Sequence, residues 1–170
     1  MWRRSLLSRR GILLASGVVV GSSVLAACDK PPTFVHEPFG SGPAPVKMRR
    51  LLLWLPPNDD FIDGTYVTAE FVRLLAPLGI AVEAGRANRV ELYRGTEQEE
   101  IIRRFKPTYT LEIDVARGAG GSSPSLLVRA ALYRGGGSKP LEKFHHHARS
   151  RDPRRFVQQI VESLKAGDYL

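Results

Sequence analysis

A single mixed-sheet domain of the α/β (α+β) class, in the order β-α-β-α-β-β-β-α, is predicted by three observations. An unbroken apolar run, Leu51-Leu52-Leu53-Trp54-Leu55, precedes a helix-period segment and a second short apolar run. Three later segments alternate apolar with polar residues across glycine-rich joints, and an amphipathic segment closes the chain. The first pattern implies a parallel pair with a right-handed crossover and the second an antiparallel meander, so both kinds of pairing should share one sheet.

The apolar run ends at Pro56-Pro57 and suits a strand buried on both faces. Val67, Phe71, Leu74, Leu75 and Leu78 recur at helical spacing; Pro77 begins to break that helix and Gly79 is placed to end it. Ile80 to Ala84 supplies the second strand. Val90-Glu91-Leu92-Tyr93 fits strand or helix equally. Thr96 and Glu99 have capping-box spacing ahead of Ile101, Ile102 and Phe105, a short helix closed by Pro107. In the second half Tyr109, Leu111, Ile113 and Val115 alternate with Thr110, Glu112 and Asp114, which is a strand with one polar face. Leu126, Val128, Ala130 and Leu132 alternate after the Gly118 to Gly121 turn, and Gly135-Gly136-Gly137 leads to a strand around Leu141 to His147. Asp152-Pro153 opens the last helix, with Phe156, Val157, Ile160, Val161 and Leu164 on one face.

Ahead of this domain, Arg3, Arg4, Arg9 and Arg10 precede an apolar stretch from Ile12 to Ala27, with no acidic residue before Cys28. Leu25-Ala26-Ala27-Cys28 resembles the lipobox of bacterial lipoprotein signals. The resemblance implies cleavage between Ala27 and Cys28 and lipidation of Cys28, the only cysteine in the chain. Ser8-Arg9-Arg10-Gly11-Ile12-Leu13 resembles a twin-arginine export signal, although the general secretory route also accepts such a start. Residues 1–27 are therefore read as the signal peptide, 28–48 as a lipidated tether rich in Pro and Gly, and 49–170 as the globular domain. Asp29 after the lipidated cysteine resembles an inner-membrane retention signal, so periplasm-facing inner-membrane residence is preferred over the outer membrane.

The chain carries 25 basic and 17 acidic side chains, but four of the basic ones lie in the signal. What remains is a mildly basic surface, compatible with anionic lipid and without the basic-aromatic interleaving of a nucleic-acid interface. Without a second cysteine the fold must hold itself by burial.

From Ile101 to Leu164, the order of polar-faced strand, second strand, Gly-rich turn and terminal helix resembles small α/β domains of envelope proteins. These are the amino-terminal domain of the Tol-Pal propeller protein, the curli secretion lipoprotein and the lipoprotein activators of penicillin-binding proteins. The resemblance implies a non-catalytic scaffold acting through contacts with an envelope protein partner.

Two local clusters argue for chemistry instead. Asn58, Asp59, Asp60 and Asp63 crowd the loop after the first strand, where open α/β sheets bind ligands, and their carboxylates suit a divalent cation. Their spacing is not that of an EF-hand, and Asp63-Gly64 is also ordinary helix-entry chemistry. In His145-His146-His147 a strand would send His145 and His147 to one face and His146 to the other, so two imidazoles at most converge. The glycine turns join strand to strand and so lack the strand-to-helix context of a phosphate loop. The expectation is a membrane-anchored binding or assembly module without cofactor, the alternative being a periplasmic hydrolase or metal-binding protein using Asn58 to Asp63 or His145 to His147.

Overall fold

The computed structural model describes residues 34–38, 44–57, 62–87, 96–117, 126–148 and 153–170. Its strands are β1 (Phe34–Pro38), β2 (Arg50–Leu55), β3 (Ala81–Arg86), β4 (Tyr109–Arg117), β5 (Leu126–Arg134) and β6 (Pro140–Ala148). Its helices are α1 (Gly64–Leu75), extended by a 3-10 turn over Ala76–Leu78, α2 (Thr96–Phe105) and α3 (Arg154–Ala166). The six strands form one sheet in the order β1-β6-β5-β4-β2-β3. Strand β2 runs parallel to β3 and β4, whereas β4, β5, β6 and β1 are joined antiparallel. The domain is thus the mixed α/β sheet expected, with the parallel pair and the meander sharing β4 as their seam.

β1 is an addition to the expected order, and it lies inside the stretch expected to be a tether. Its alternation, Phe34 and His36 facing one way and Val35 and Glu37 the other, is masked in the sequence by the surrounding prolines. An edge strand tolerates Pro38 at its end because one side of the strand needs no ladder hydrogen bonds. The end of the same stretch also belongs to the domain. Tyr109 Oη accepts from the Val46 amide and donates to the Val46 carbonyl, both at 2.8 Å. Met48 is buried, and its amide donates to the Tyr169 carbonyl at 2.7 Å.

The two sheet faces are covered unequally. On one face α1 and α3 pack Val67, Phe71, Leu75, Phe156, Ile160 and Leu164 against Leu51, Leu53, Tyr109, Leu111, Leu132 and Phe144. On the other face α2 lies over β2 and β3, where a Cβ on Gly85 would fall among the Trp54 ring and the Ile101 side chain. Leu51, Leu52 and Leu53 are therefore completely buried, which explains why β2 reads as a continuous apolar run. Each such side chain contributes about 1.5–3 kcal/mol of burial free energy. β5 instead buries Leu126, Val128, Ala130 and Leu132 and turns Leu127, Arg129, Ala131 and Tyr133 to the other face.

The helix ends follow local chemistry. Asp63 caps α1, its Oδ1 accepting from the Thr65 and Tyr66 amides at 2.9 and 3.3 Å. Gly79 ends the 3-10 turn at φ 74°, a left-handed conformation that disfavours a Cβ. Lys106 takes φ 48° after α2, ahead of Pro107. Pro153 is the N-cap of α3, immediately before its first residue, Arg154.

Candidate functional site

Cys28, Asp59 and Asp60 lie outside the described residues, as do Asn58 and the Val90 to Tyr93 segment. Of the acidic loop only Asp63 is placed, and its carboxylate is engaged by the first turn of α1. An N-cap carboxylate both satisfies amide donors and meets the positive end of the helix dipole, so Asp63 is accounted for structurally.

The histidine run divides as alternation requires. His145 and His147 occupy the face away from α1 and α3, half-buried and exposed respectively, with His145 Nε2 3.9 Å from Glu37 Oε2 of β1. His146 points inward and is only 3% exposed, its ring 5.7 Å from Phe156 and 6.4 Å from Phe34. Its Nδ1 and the Oε1 of Gln159 both lack a hydrogen-bond partner. Burial holds the His146 pKa below the usual histidine range, with the Arg155 charge acting the same way, against a smaller opposing effect from Gln159. Among the described residues no three His, Cys, Asp or Glu side chains gather as a metal site would require.

A cleft of about 660 Å³ opens at the carboxyl ends of β2 and β3, between the first turns of α1 and α2. Gly64, Thr65, Gly85, Arg86, Glu97 and Ile101 are among its walls. Gly85 is sterically required as the chain stands, since a Cβ there would come within 2.4 Å of the Trp54 ring; one on Gly64 would meet only the flexible ends of Arg86 and Leu55, at 2.9 Å. Thr68, also in the wall, donates its hydroxyl to the Gly64 carbonyl at 2.7 Å. One guanidinium, one carboxylate and two hydroxyls around an apolar floor suit orientation of a small polar ligand. This cleft lies at the end of β2 where the alternative reading put a ligand, but its placed polar groups come from α1, β3 and α2. No motif marks Arg86 or Glu97; both line one cleft only because parallel strands and following helices bring their ends together.

Strands β4, β5, β6 and β1 present a second surface on the face opposite α1 and α3. Asp114, Arg129, His145 and Val35 stand in one row across four strands, with Glu112, Ala131, Lys143 and Glu37 in the next. Arg129 pairs with Asp114, and both are about half exposed or more. At the β1 edge, His36 Nε2 donates to Glu142 Oε2 at 2.8 Å, its ring stacked on Phe144 at 5.0 Å. Tyr169 donates its hydroxyl to Glu142 Oε1 at 2.6 Å, so one carboxylate ties β1, β6 and the end of the chain. Burial, then the Glu142 carboxylate, pushes the Tyr169 pKa upward, which keeps the phenol a donor.

No family model and no curated protein matches the chain. Among solved structures it is similar to a dodecamer of a PelC point variant from Paraburkholderia phytofirmans, with 17% identity and a TM-score of 0.47 over 82% of this chain and 100% of that one. A second PelC dodecamer from the same organism is 15% identical, with a TM-score of 0.46 over 79% and 95% of the two chains.

Proposed function

We propose that this chain is a periplasm-facing lipoprotein, anchored through acylated Cys28, whose domain serves as a non-catalytic binding or assembly module of the cell envelope. The observation that carries the binding role is the face of β5, β6 and β1 that no helix covers among the described residues. These strands are packed by helices on one side, while Arg129 and His147 stand exposed on the other and Val35 is 39% exposed at the edge. A sheet face with mixed charges and apolar side chains between them suits protein contacts, and its rows of charged residues would set register on a partner. The sequence supports the anchor: Leu25-Ala26-Ala27-Cys28 follows a cationic, acid-free start. Inner-membrane residence is the preferred location, on Asp29. The likeness in element order to small envelope-protein domains supports the same role.

The direct experiment is metabolic labelling with an alkyne fatty acid. Wild-type chain should take the label and run as the processed form, and Cys28→Ser should do neither; label on the Ser variant would refute the anchor. The cleft beside Arg86 favours a second reading, in which a small periplasmic ligand is bound or hydrolysed there. That reading predicts that Arg86→Ala alters ligand-induced protection from melting while leaving acylation intact.

A further inference from the structure

We infer that β1 turns one end of the domain toward the lipid: the end carrying Arg86, Arg154 and Arg155 faces the bilayer, and the opposite end faces away. Acylation of Cys28, as proposed above, is the premise on which this rests. Chain length and direction come first. Phe34 lies six positions after Cys28, and an extended chain spans at most ~3.3–3.6 Å per residue, so the two Cα atoms are held within about 20 Å. Without β1 the span to residue 44 would have been free to act as a long tether. With β1 paired, the leash is short.

Register decides which end it reaches. Phe34 sits opposite His146, and β1 runs from there toward Pro38, opposite Glu142. The chain therefore enters from the end of the sheet where β2 and β3 finish and where α1 and α3 begin. An inverted pose would place Phe34 above the bilayer by the six residues from Pro140 to His146, about 20 Å, plus the turn that precedes Pro140. The leash would have to be drawn straight, with loss of its conformational freedom.

The docking of β1 is built from side chains as well as backbone. Phe34 stacks on Phe144 at 6.2 Å and approaches His146, His36 stacks on Phe144 and bonds Glu142, and Glu37 lies near His145. At the end so presented, Arg86, Arg154 and Arg155 are exposed, with Arg154 also donating to the Tyr66 hydroxyl and lying over its ring; Asp63 caps α1, and Glu97 is the other described acid beside the cleft. Anionic phospholipid head groups complement such a cationic end, but they would suit the opposite end as well, so the short leash and the register of β1, not charge, decide the pose. The opposite end, with exposed Lys47, Arg50, Lys106 and Lys139, is turned outward, and the open sheet face stands beside the leash, clear of the lipid.

The test uses the full acylated chain in phosphatidylcholine–phosphatidylglycerol vesicles bearing a head-group acceptor dye. A donor is placed on Arg155→Cys or on Lys139→Cys; the Cys28 sulfur, being a thioether, does not take the dye. The two positions are separated by about the length of β6, ~30 Å, so transfer from position 155 should be several-fold stronger. Equal transfer, or more from 139, overturns the inference. Replacing Phe34 and His36 by Gly should erase the difference, and a Val35→Cys/His145→Cys disulfide should preserve it, because those residues are register partners. A difference that survives loss of the β1 side chains, or one that the disulfide abolishes, refutes the role of β1. Mass analysis of the Cys28 peptide separates the two levels: an unacylated cysteine defeats the anchor and this inference together, whereas an acylated one with equal transfer defeats this inference alone.

Discussion

The parallel half of the sheet and the antiparallel half are built by opposite rules. Around β2 helices cover both faces, Leu51, Leu52 and Leu53 are completely buried, and the segment is apolar at every position from Leu51 to Leu55. Around β5 and β6 helices pack against one face, and alternate residues are polar, charged or half-exposed. The difference teaches that both halves feed one shared core, but the parallel half is closed on both faces while the antiparallel half keeps one face for the core and turns the other outward. Changes at core positions should be read in stability, and changes on the outward face in binding.

The largest effect is expected in the closed half. Leu53→Ala deletes a fully buried side chain and should lower unfolding free energy by about 2–5 kcal/mol in urea titration. The same measurement on Arg129→Ala, whose pairing with Asp114 is largely exposed, should give a change below about 1 kcal/mol. If the two losses are similar, the contrast between the halves is wrong. Next in size is Gly85→Ala, which forces a Cβ toward the Trp54 ring and should destabilise by about 1–3 kcal/mol, with altered tryptophan fluorescence in the folded state.

His146 sharpens the comparison, being the one histidine of its run that points into the core. Its pKa is held down in the folded state, so below about pH 6.5, the usual histidine value, the unfolded chain binds the proton more readily. Its contribution is therefore complete above that pH and is lost as pH falls toward the folded-state value. Urea midpoints should drop between pH 7 and 5 in the wild type and drop less in His146→Phe. An equal drop in both would assign the pH dependence elsewhere. The smallest effect is expected for His145→Thr/His147→Thr, a double change within about 0.5 kcal/mol on the polar face. Zinc at about a hundred times Kd would add ~2.7 kcal/mol to a native metal site. Melting of the parent should show no zinc-dependent rise, and a rise absent from the double mutant would restore the metal reading.

Much of this division was legible in the sequence because it is written in side-chain period. The run from Leu51 to Leu55 specified a strand covered on both faces, and the alternation from Tyr109 and from Leu126 specified strands covered on one. Pro77 and Gly79 marked the helix end at the place where the chain turns left-handed. β1 escaped notice because five residues among prolines carry too little pattern, and its partner β6 is more than a hundred positions away. The phenol that holds Val46, and the carboxylate shared by His36 and Tyr169, are likewise products of distant pairing. Asp63 drew attention as a ligand, although its place before α1 already marked it as a cap. Arg86 and Glu97, which both line the cleft, have no local signature at all.

Whether the open face is the working face of an anchored domain is addressed most directly by site-specific photocrosslinking in living cells. A benzoylphenylalanine at position 129, on that face, should form a discrete envelope-protein adduct, while the same group at position 158, exposed on α3, should not. The adduct at 129 should disappear when Cys28→Ser releases the domain from its membrane. Adducts confined to 158, or an absence of adducts at 129 with the acylated chain in place, would contradict the account.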